Sequence, residues 1–345
     1  MRAPYKLHGV SISAGDRKTV TIPLSRLSDH TRVSLSPHVI HGKKDGPVMF
    51  VSAAIHGDEI IGVEIIRRIA TLKALHRLRG TLILTPVVNA YGFVSLSRYL
   101  PDRRDLNRSF PGSATGSLAS QLAHTFLSEI VKPAKYGIDL HSGAVHRENL
   151  PQIRADLEDP EVADMAREFG ASIMLNANLR DGSLRSSAKD LGCKILLYEA
   201  SEALRFDEVA IRVGVNGILG VMRHVGMLPV SKPKRSKVDP VRSDSSHWLR
   251  APIGGLMRAK KKLGDRVKTG ETIAFISDPL GLVEEPVIAK ASGIVIGRSN
   301  LPVVNRGDAL FHVAKVKSLL EAEEAVELVE SDVESDPLFD DEVIV

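Results

Sequence analysis

VMFVSAAIHGDEIIGVEIIRRIATL, residues 48 to 72, is the stretch that decides the fold. Its first eight residues, Val48 to Ile55, form a nearly unbroken apolar run, the pattern of a strand buried on both faces. A helix follows at once. Ile60, Ile61, Val63, Ile65, Ile66, Ile69 and Leu72 recur at helical spacing and mark its buried face, leaving Arg67, Arg68 and Lys73 for solvent. A buried strand running straight into an amphipathic helix is half of a strand–helix–strand unit, so the expected class is α/β.

The pattern continues on the C-terminal side. TLILTPVVN (Thr81 to Asn89) reads as a second buried strand, and the loop FPGSATGS leads into an amphipathic helix from about Leu118 to Val131. YGIDLHSG around Asp139 and KILLYEAS around Leu196 supply two more strands. Together they predict a catalytic-sized α/β domain with a parallel or mixed sheet over residues 46–230. Residues 1–45 alternate in short pieces and are expected to add a few exposed strands packed on that domain.

Residues 231–245, within VSKPKRSKVDPVRSDSS, read as a linker. From 246 to 314 the period changes to two, with Gly and Asp turns at short intervals, which predicts a smaller all-β domain. VKTGETIAFI from Val267 and VNRGDALFHV from Val304 make a weak internal repeat. Two such halves look like a lipoyl- or biotinyl-type sandwich. The hairpin between them, SDPLGLVEEP, has no carrier lysine, which argues against a swinging arm. Residues 315–345 read as an acidic tail, a short helix and then a disordered, solvated end.

Composition narrows the function. The chain has 345 residues, 43% apolar and 26% charged, the balance of an ordinary globular protein. Its last 25 residues hold eleven carboxylates and no Lys or Arg, so removing them from a net +4 leaves +15 on the rest. Such a surface suits anionic metabolites. Aromatic residues are only 4% and none interleave with Arg and Lys as a base-stacking platform would, so nucleic acid is not expected. Cys193 is the sole cysteine, which excludes an intrachain disulfide and a Cys-rich metal site. With no secretory h-region and no apolar stretch near the ~20 residues of a membrane span, the cytoplasm is the expected compartment and no membrane partner is expected.

Polar residues cluster where the apolar runs end. His56 and Glu59 stand three apart at the first strand-to-helix junction and can offer a nitrogen and a carboxylate oxygen to one cation. Alone the pair is weak, since a surface histidine and a first-turn glutamate would look the same. His141, in IDLHSG, lies at the end of another strand, the position where open α/β sheets bind ligands. Two His and one Glu make a three-ligand zinc site whose fourth position is open to water, the hydrolytic pattern. Glu199, in LLYEAS, ends a further strand and becomes the candidate general base. Asn107 and Arg108 can hold a substrate carboxylate by an amide hydrogen bond and a bidentate guanidinium. Asp105 can fix the tautomer of a ligating histidine.

HGDE with its helix, DLNRSFPG (Asp105 to Gly112), DLHSG (Asp139 to Gly143), Glu199 and the C-terminal β region together resemble the succinylglutamate desuccinylase and aspartoacylase family, a branch of the zinc carboxypeptidases. The resemblance spans most of residues 48 to 314. It implies a mixed-sheet, carboxypeptidase-like catalytic domain holding one Zn2+ per chain on His56, Glu59 and His141. It also implies Glu199 as base and proton shuttle, and Asn107 and Arg108 on a substrate carboxylate. An upstream arginine should polarise the scissile carbonyl; Arg98 is the candidate, with Arg103 and Arg104 as alternatives. The expected reaction is hydrolysis of the amide of an N-acyl amino acid or related small carboxylate. The rivals are a metallocarboxypeptidase acting on short peptides and a non-catalytic binding protein. No local sequence selects a succinyl, acetyl or aspartyl group, and a homo-oligomer is left open.

Overall fold

The computed structural model describes residues 2–230 and 239–335. The decisive stretch forms strand β1 (Lys44–Ala53) and helix α1 (Ile61–Thr71). It is flanked by β2 (Arg79–Thr85) and β3 (Tyr136–His141), both parallel to it. The next segments are β4 (Arg147–Ala155), β5 (Ile173–Asn176) and β6 (Lys194–Ser201). β6 lies parallel to β3, while β4 runs antiparallel to β6 and parallel to β5, so the α/β sheet is mixed as expected. With β2 on one side of β1 and β3 on the other, the chain reverses its direction of travel across the sheet between β1 and β3. That opens a crevice at their C-terminal ends.

Both faces are covered. On one, α1, α3 (Pro160–Phe169) and α5 (Glu208–His224) pack against Met49, Val51, Ile138 and Tyr198. On the other, α2 (Leu118–Phe126) and α4 (Leu184–Asp190) pack with the N-terminal strands around Phe50 and Ile83. Those N-terminal strands are less exposed than their alternation suggests, because Leu7, Ile12, Ile22 and Leu35 complete this second core. Arg68 also departs from expectation. It is buried, with Nη1 and Nη2 each 2.8 Å from Glu208 of α5 and Nε 2.8 Å from Glu64, because α1 and α5 pack side by side. The apolar run of residues 81–89 is a strand only to Thr85; Asn89 then caps a short helix, Ala90–Val94.

The C-terminal strands do not stand apart from the sheet. β7 (Ser245–Arg250), β8 (Gly293–Ser299) and β9 (Ala309–Lys315) join it, β8 pairing antiparallel with β4 through Arg147, Glu148 and Asn149. The result is one 13-stranded sheet running across both regions, with a separate four-stranded antiparallel sheet beside it. Residues 231–238 of the expected linker lie outside the described residues. Its later part is not a linker, since Val241–Ser243 pairs in parallel with β5. The acidic segment forms a 16-residue helix, α6 (Leu319–Glu334), longer than expected because Ala322, Ala325 and Val326 give it a buried face. The solvated end falls at 336–345, outside the described residues. No helix among the described residues is long and apolar enough to cross a membrane.

Candidate active site

The crevice between β1 and β3 collects the polar residues. β1 ends at Ala53, and the left-handed Ala54 (φ 50°) bends the chain into a turn closed by the Glu59 amide on the His56 carbonyl at 3.1 Å. Gly57 is required there by space, since a Cβ would fall 1.9 Å from the backbone carbon of Gly92. The turn aims His56 and Glu59 at the end of β3, whose last residue is His141. Glu199 on β6 is the register partner of His141.

Glu59 bridges the two imidazoles. Its Oε1 lies 2.7 Å from His56 Nδ1 and its Oε2 2.7 Å from His141 Nδ1. The opposite ring nitrogens are also engaged, His56 Nε2 with Asp105 at 3.0 Å and His141 Nε2 with Asp139 at 2.7 Å. Ser52 donates to the other oxygen of Asp139 at 2.7 Å. Arg98 spans the group, with Nη1 3.0 Å from Glu59 and Nη2 3.0 Å from Asp105.

Burial opposes charge on both histidines, yet Glu59 with Asp105 holds His56 above the ordinary range, and Asp139 with Glu59 holds His141 well above it. Burial likewise opposes the Glu59 carboxylate but is outweighed by the two imidazoles, which hold its pKa far below the usual range.

One ligand atom each from His56, Glu59 and His141 lies within 4.8 Å of the others, and all three residues are buried. The donor set is two imidazole nitrogens and a carboxylate, with each histidine's remaining nitrogen braced by a second carboxylate. That is the arrangement that orients histidines toward a metal ion and raises their basicity. The residues fit a single divalent cation.

The group opens on a cavity of about 590 Å³ whose lining also includes Arg98, Asn107, Arg108 and Glu199. Asn107 is oriented by the Leu184 amide, which donates to its Oδ1 at 2.9 Å and leaves the Nδ2 end for the cavity. Arg108 is exposed along the lining, its Nη1 2.5 Å from the Asn107 carbonyl. Arg103 and Arg104 are not among the lining residues, and Arg104 points to solvent at 63% exposure.

Several residues of the site carry no assignment from the sequence alone. Asp139 carried a usable signal, since it sits two before His141 and so on the same side of the strand. Arg154 and Arg185 did not, being scattered charges on β4 and α4. Nor did Ser246, Trp248 and His312, which arrive from the C-terminal strands. Burial, with Arg154 adding like charge, pushes the His312 imidazole down to about 3 and so keeps it neutral.

Fold and site together define an α/β protein whose crevice presents a buried His–Glu–His group, able to hold one metal ion, to an open pocket. Residues 45–225 match the model of the succinylglutamate desuccinylase/aspartoacylase catalytic domain, and the chain belongs to that family. It is 24% identical over 307 residues to the N-alpha-acetyl-L-2,4-diaminobutyric acid deacetylase of Halomonas elongata, covering 86% of this chain and 90% of that one. Among solved structures it is similar to a succinylglutamate desuccinylase/aspartoacylase from Rhodobacter sphaeroides. The TM-score there is 0.77 at 26% identity, over 87% of this chain and 96% of that one. The product-bound ectoine utilization protein EutE (DoeB) from Ruegeria pomeroyi shares the fold with a TM-score of 0.78 at 21% identity, over 91% and 99% of the two chains.

Proposed function

We propose that the protein is a zinc-dependent deacylase that hydrolyses the amide bond of a small N-acyl amino acid carrying a free carboxylate. The observation that carries this reading is the buried His56–Glu59–His141 group opening on a small cavity rich in arginine. A zinc ion held by these three residues would supply Lewis-acid chemistry, acidifying water and polarising the scissile carbonyl. Asn107 and Arg108 bind the substrate carboxylate through Nδ2 and the guanidinium. Glu199 takes the proton of the attacking water and returns it to the departing amine. Arg98 keeps Glu59 and Asp105 in register and, from the cavity wall, offers a guanidinium to the oxyanion.

The cavity also favours a second anionic group on the substrate. Arg185 is only 8% exposed, and its guanidinium reaches just the backbone carbonyls of Ala177 and Asn178, at 3.3 and 3.4 Å. Burial, then the like charge of Arg154, lowers it to about 10. An N-acyl dicarboxylic amino acid would answer that charge, whereas the side-chain amine of an N-acetyl-diaminobutyrate, the substrate in the name of the Halomonas relative, would repel it.

The C-terminal strands are read as the lipoyl-like sandwich expected from the repeat. Trp248 and His312 line the cavity from these strands, and we read them as restricting substrate size. The test is a screen of zinc-loaded protein for amine release from N-acyl amino acids and from dipeptides. Turnover confined to dipeptides would replace the deacylase with a carboxypeptidase. Absence of turnover and of bound metal would leave a binding protein.

A further inference from the structure

Strand β4 carries Asn149 where the catalytic strands and the C-terminal strands meet. On one side Asn149 pairs with Ser201 of β6, two residues beyond Glu199, and on the other with Gly297 of β8. The residue is 6% exposed, and its Nδ2 donates to Oε2 of Glu199 at 2.6 Å. The other carboxylate oxygen, Oε1, lies 3.3 Å from Arg154 Nη1. Glu199 is thus held at both oxygens from one strand. A carboxylate fixed in this way has its lone pairs aimed before substrate arrives, which is the preorganisation a proton shuttle needs.

Gly297 explains how Asn149 fits. A Cβ on Gly297 would lie 2.8 Å from Asn149 Oδ1, with His312 Cβ next at 3.3 Å. The φ of Gly297 is outside the left-handed range, so its backbone does not call for glycine, whereas the asparagine's space does. We propose that Asn149 is the positioning residue for the Glu199 carboxylate, and that Gly297 of β8 makes the room Asn149 occupies. The C-terminal strands thereby help to assemble the catalytic centre. The proposal rests on the base role of Glu199 and assigns these strands a task beyond limiting substrate size.

The geometry also says which substitutions leave the fold intact. The atom nearest to a new Cβ at Gly297 is the end of a movable side chain, so Gly297→Ala should rotate Asn149 away from Glu199 and melt within a few degrees of the unmodified protein. Asn149→Ala should lower kcat by roughly ten- to a hundredfold, a part of what a general base is worth, with KM and zinc content unchanged. Gly297→Ala should lower kcat in the same direction. The double variant should be no slower than Asn149→Ala, because the new methyl then has nothing to displace. A general loss of packing would instead make the two changes additive.

A second readout needs neither turnover nor metal. In 15N-labelled protein the side-chain amide of Asn149, identified by its loss in Asn149→Asp, should shift in Glu199→Gln, where a charged acceptor becomes neutral, and again in Gly297→Ala. If zinc-loaded protein cleaves no N-acyl amino acid, the deacylase reading falls, and the amide resonance alone decides whether Asn149 holds Glu199. An unmoved resonance in both variants overturns the proposal. So does an active enzyme in which Asn149→Ala keeps kcat within threefold, or in which the two substitutions are additive.

Discussion

Oε2 of Glu59 lies 2.7 Å from Nδ1 of His141, joining the end of β3 to a turn 82 residues earlier in the chain. With His56 Nδ1 at the same distance from Oε1, one carboxylate sits between two imidazole nitrogens. Each histidine alone leaves the cation two protein ligands. His56→Ala and His141→Ala should therefore each lose metal and activity together. Elemental analysis of purified variants checks this, and stoichiometric zinc in the double variant would remove the assignment.

The same contacts set a pH dependence for metal loading. In the metal-free site both histidines have pKa values raised above 6.5, His141 well above it, because the neighbouring carboxylates outweigh burial. Protons therefore occupy the nitrogens that a cation needs. As pH rises through the raised values the imidazoles become neutral and apparent zinc affinity should climb. As pH falls below those raised values it should drop steeply. Calorimetric titrations in buffers of different ionisation enthalpy should register proton release on binding, and a pH-independent affinity without proton release would contradict the geometry.

How the sequence showed this site follows from strand geometry. His56, Glu59 and His141 were readable because each closes an apolar run at the same end of a parallel sheet, so position in sequence translated directly into position in space. Asn107 is readable through the loop motif DLNRSFPG that carries it, and Arg98 only as the upstream arginine that the family resemblance implies. Trp248, His312 and Gly297 were opaque. They reach the site because β8 pairs with β4, a long-range antiparallel register that no local period encodes. For the same reason the sequence of residues 231–245 reads as a linker, whereas the strands that follow continue the central sheet.

Glu199 lines the cavity from β6, and its two oxygens are engaged by Asn149 and Arg154. Glu199→Gln preserves size and most contacts but cannot accept a proton. It should keep zinc and lose roughly 10²–10⁴-fold in kcat. A loss below tenfold, measured on the best substrate of the screen, would move the base elsewhere.

Arg108 and the Nδ2 end of Asn107 are the proposed carboxylate grip. Arg108→Lys replaces a planar fork with a point charge, so KM for free-carboxylate substrates should rise roughly ten- to a hundredfold. Amidated analogues lack the charge and should bind poorly to the unmodified enzyme, with little further change in the variant. Equal hydrolysis of free and amidated substrates by the unmodified enzyme would dissolve the grip.

Arg185 gives the sharpest test of substrate charge. It is buried at 8% exposure, bonded only to backbone carbonyls and lowered to about 10, so the resting protein maintains a cation that no carboxylate of the described residues neutralises through an ion pair. Holding a largely desolvated cation without an ion-pair partner costs stability. Arg185→Leu should therefore melt a few degrees higher. If the charge is kept for the substrate, the same variant should lose at least roughly tenfold in kcat/KM on N-acyl aspartate or glutamate while changing little on N-acyl alanine. The unmodified enzyme should in turn prefer the dicarboxylic substrates to N-acetyl-diaminobutyrate, whose amine would face the like charges of Arg154 and Arg185. Equal turnover of the three substrates, with a ratio that Arg185→Leu leaves untouched, would show that this arginine answers to the fold and not to a second anionic group.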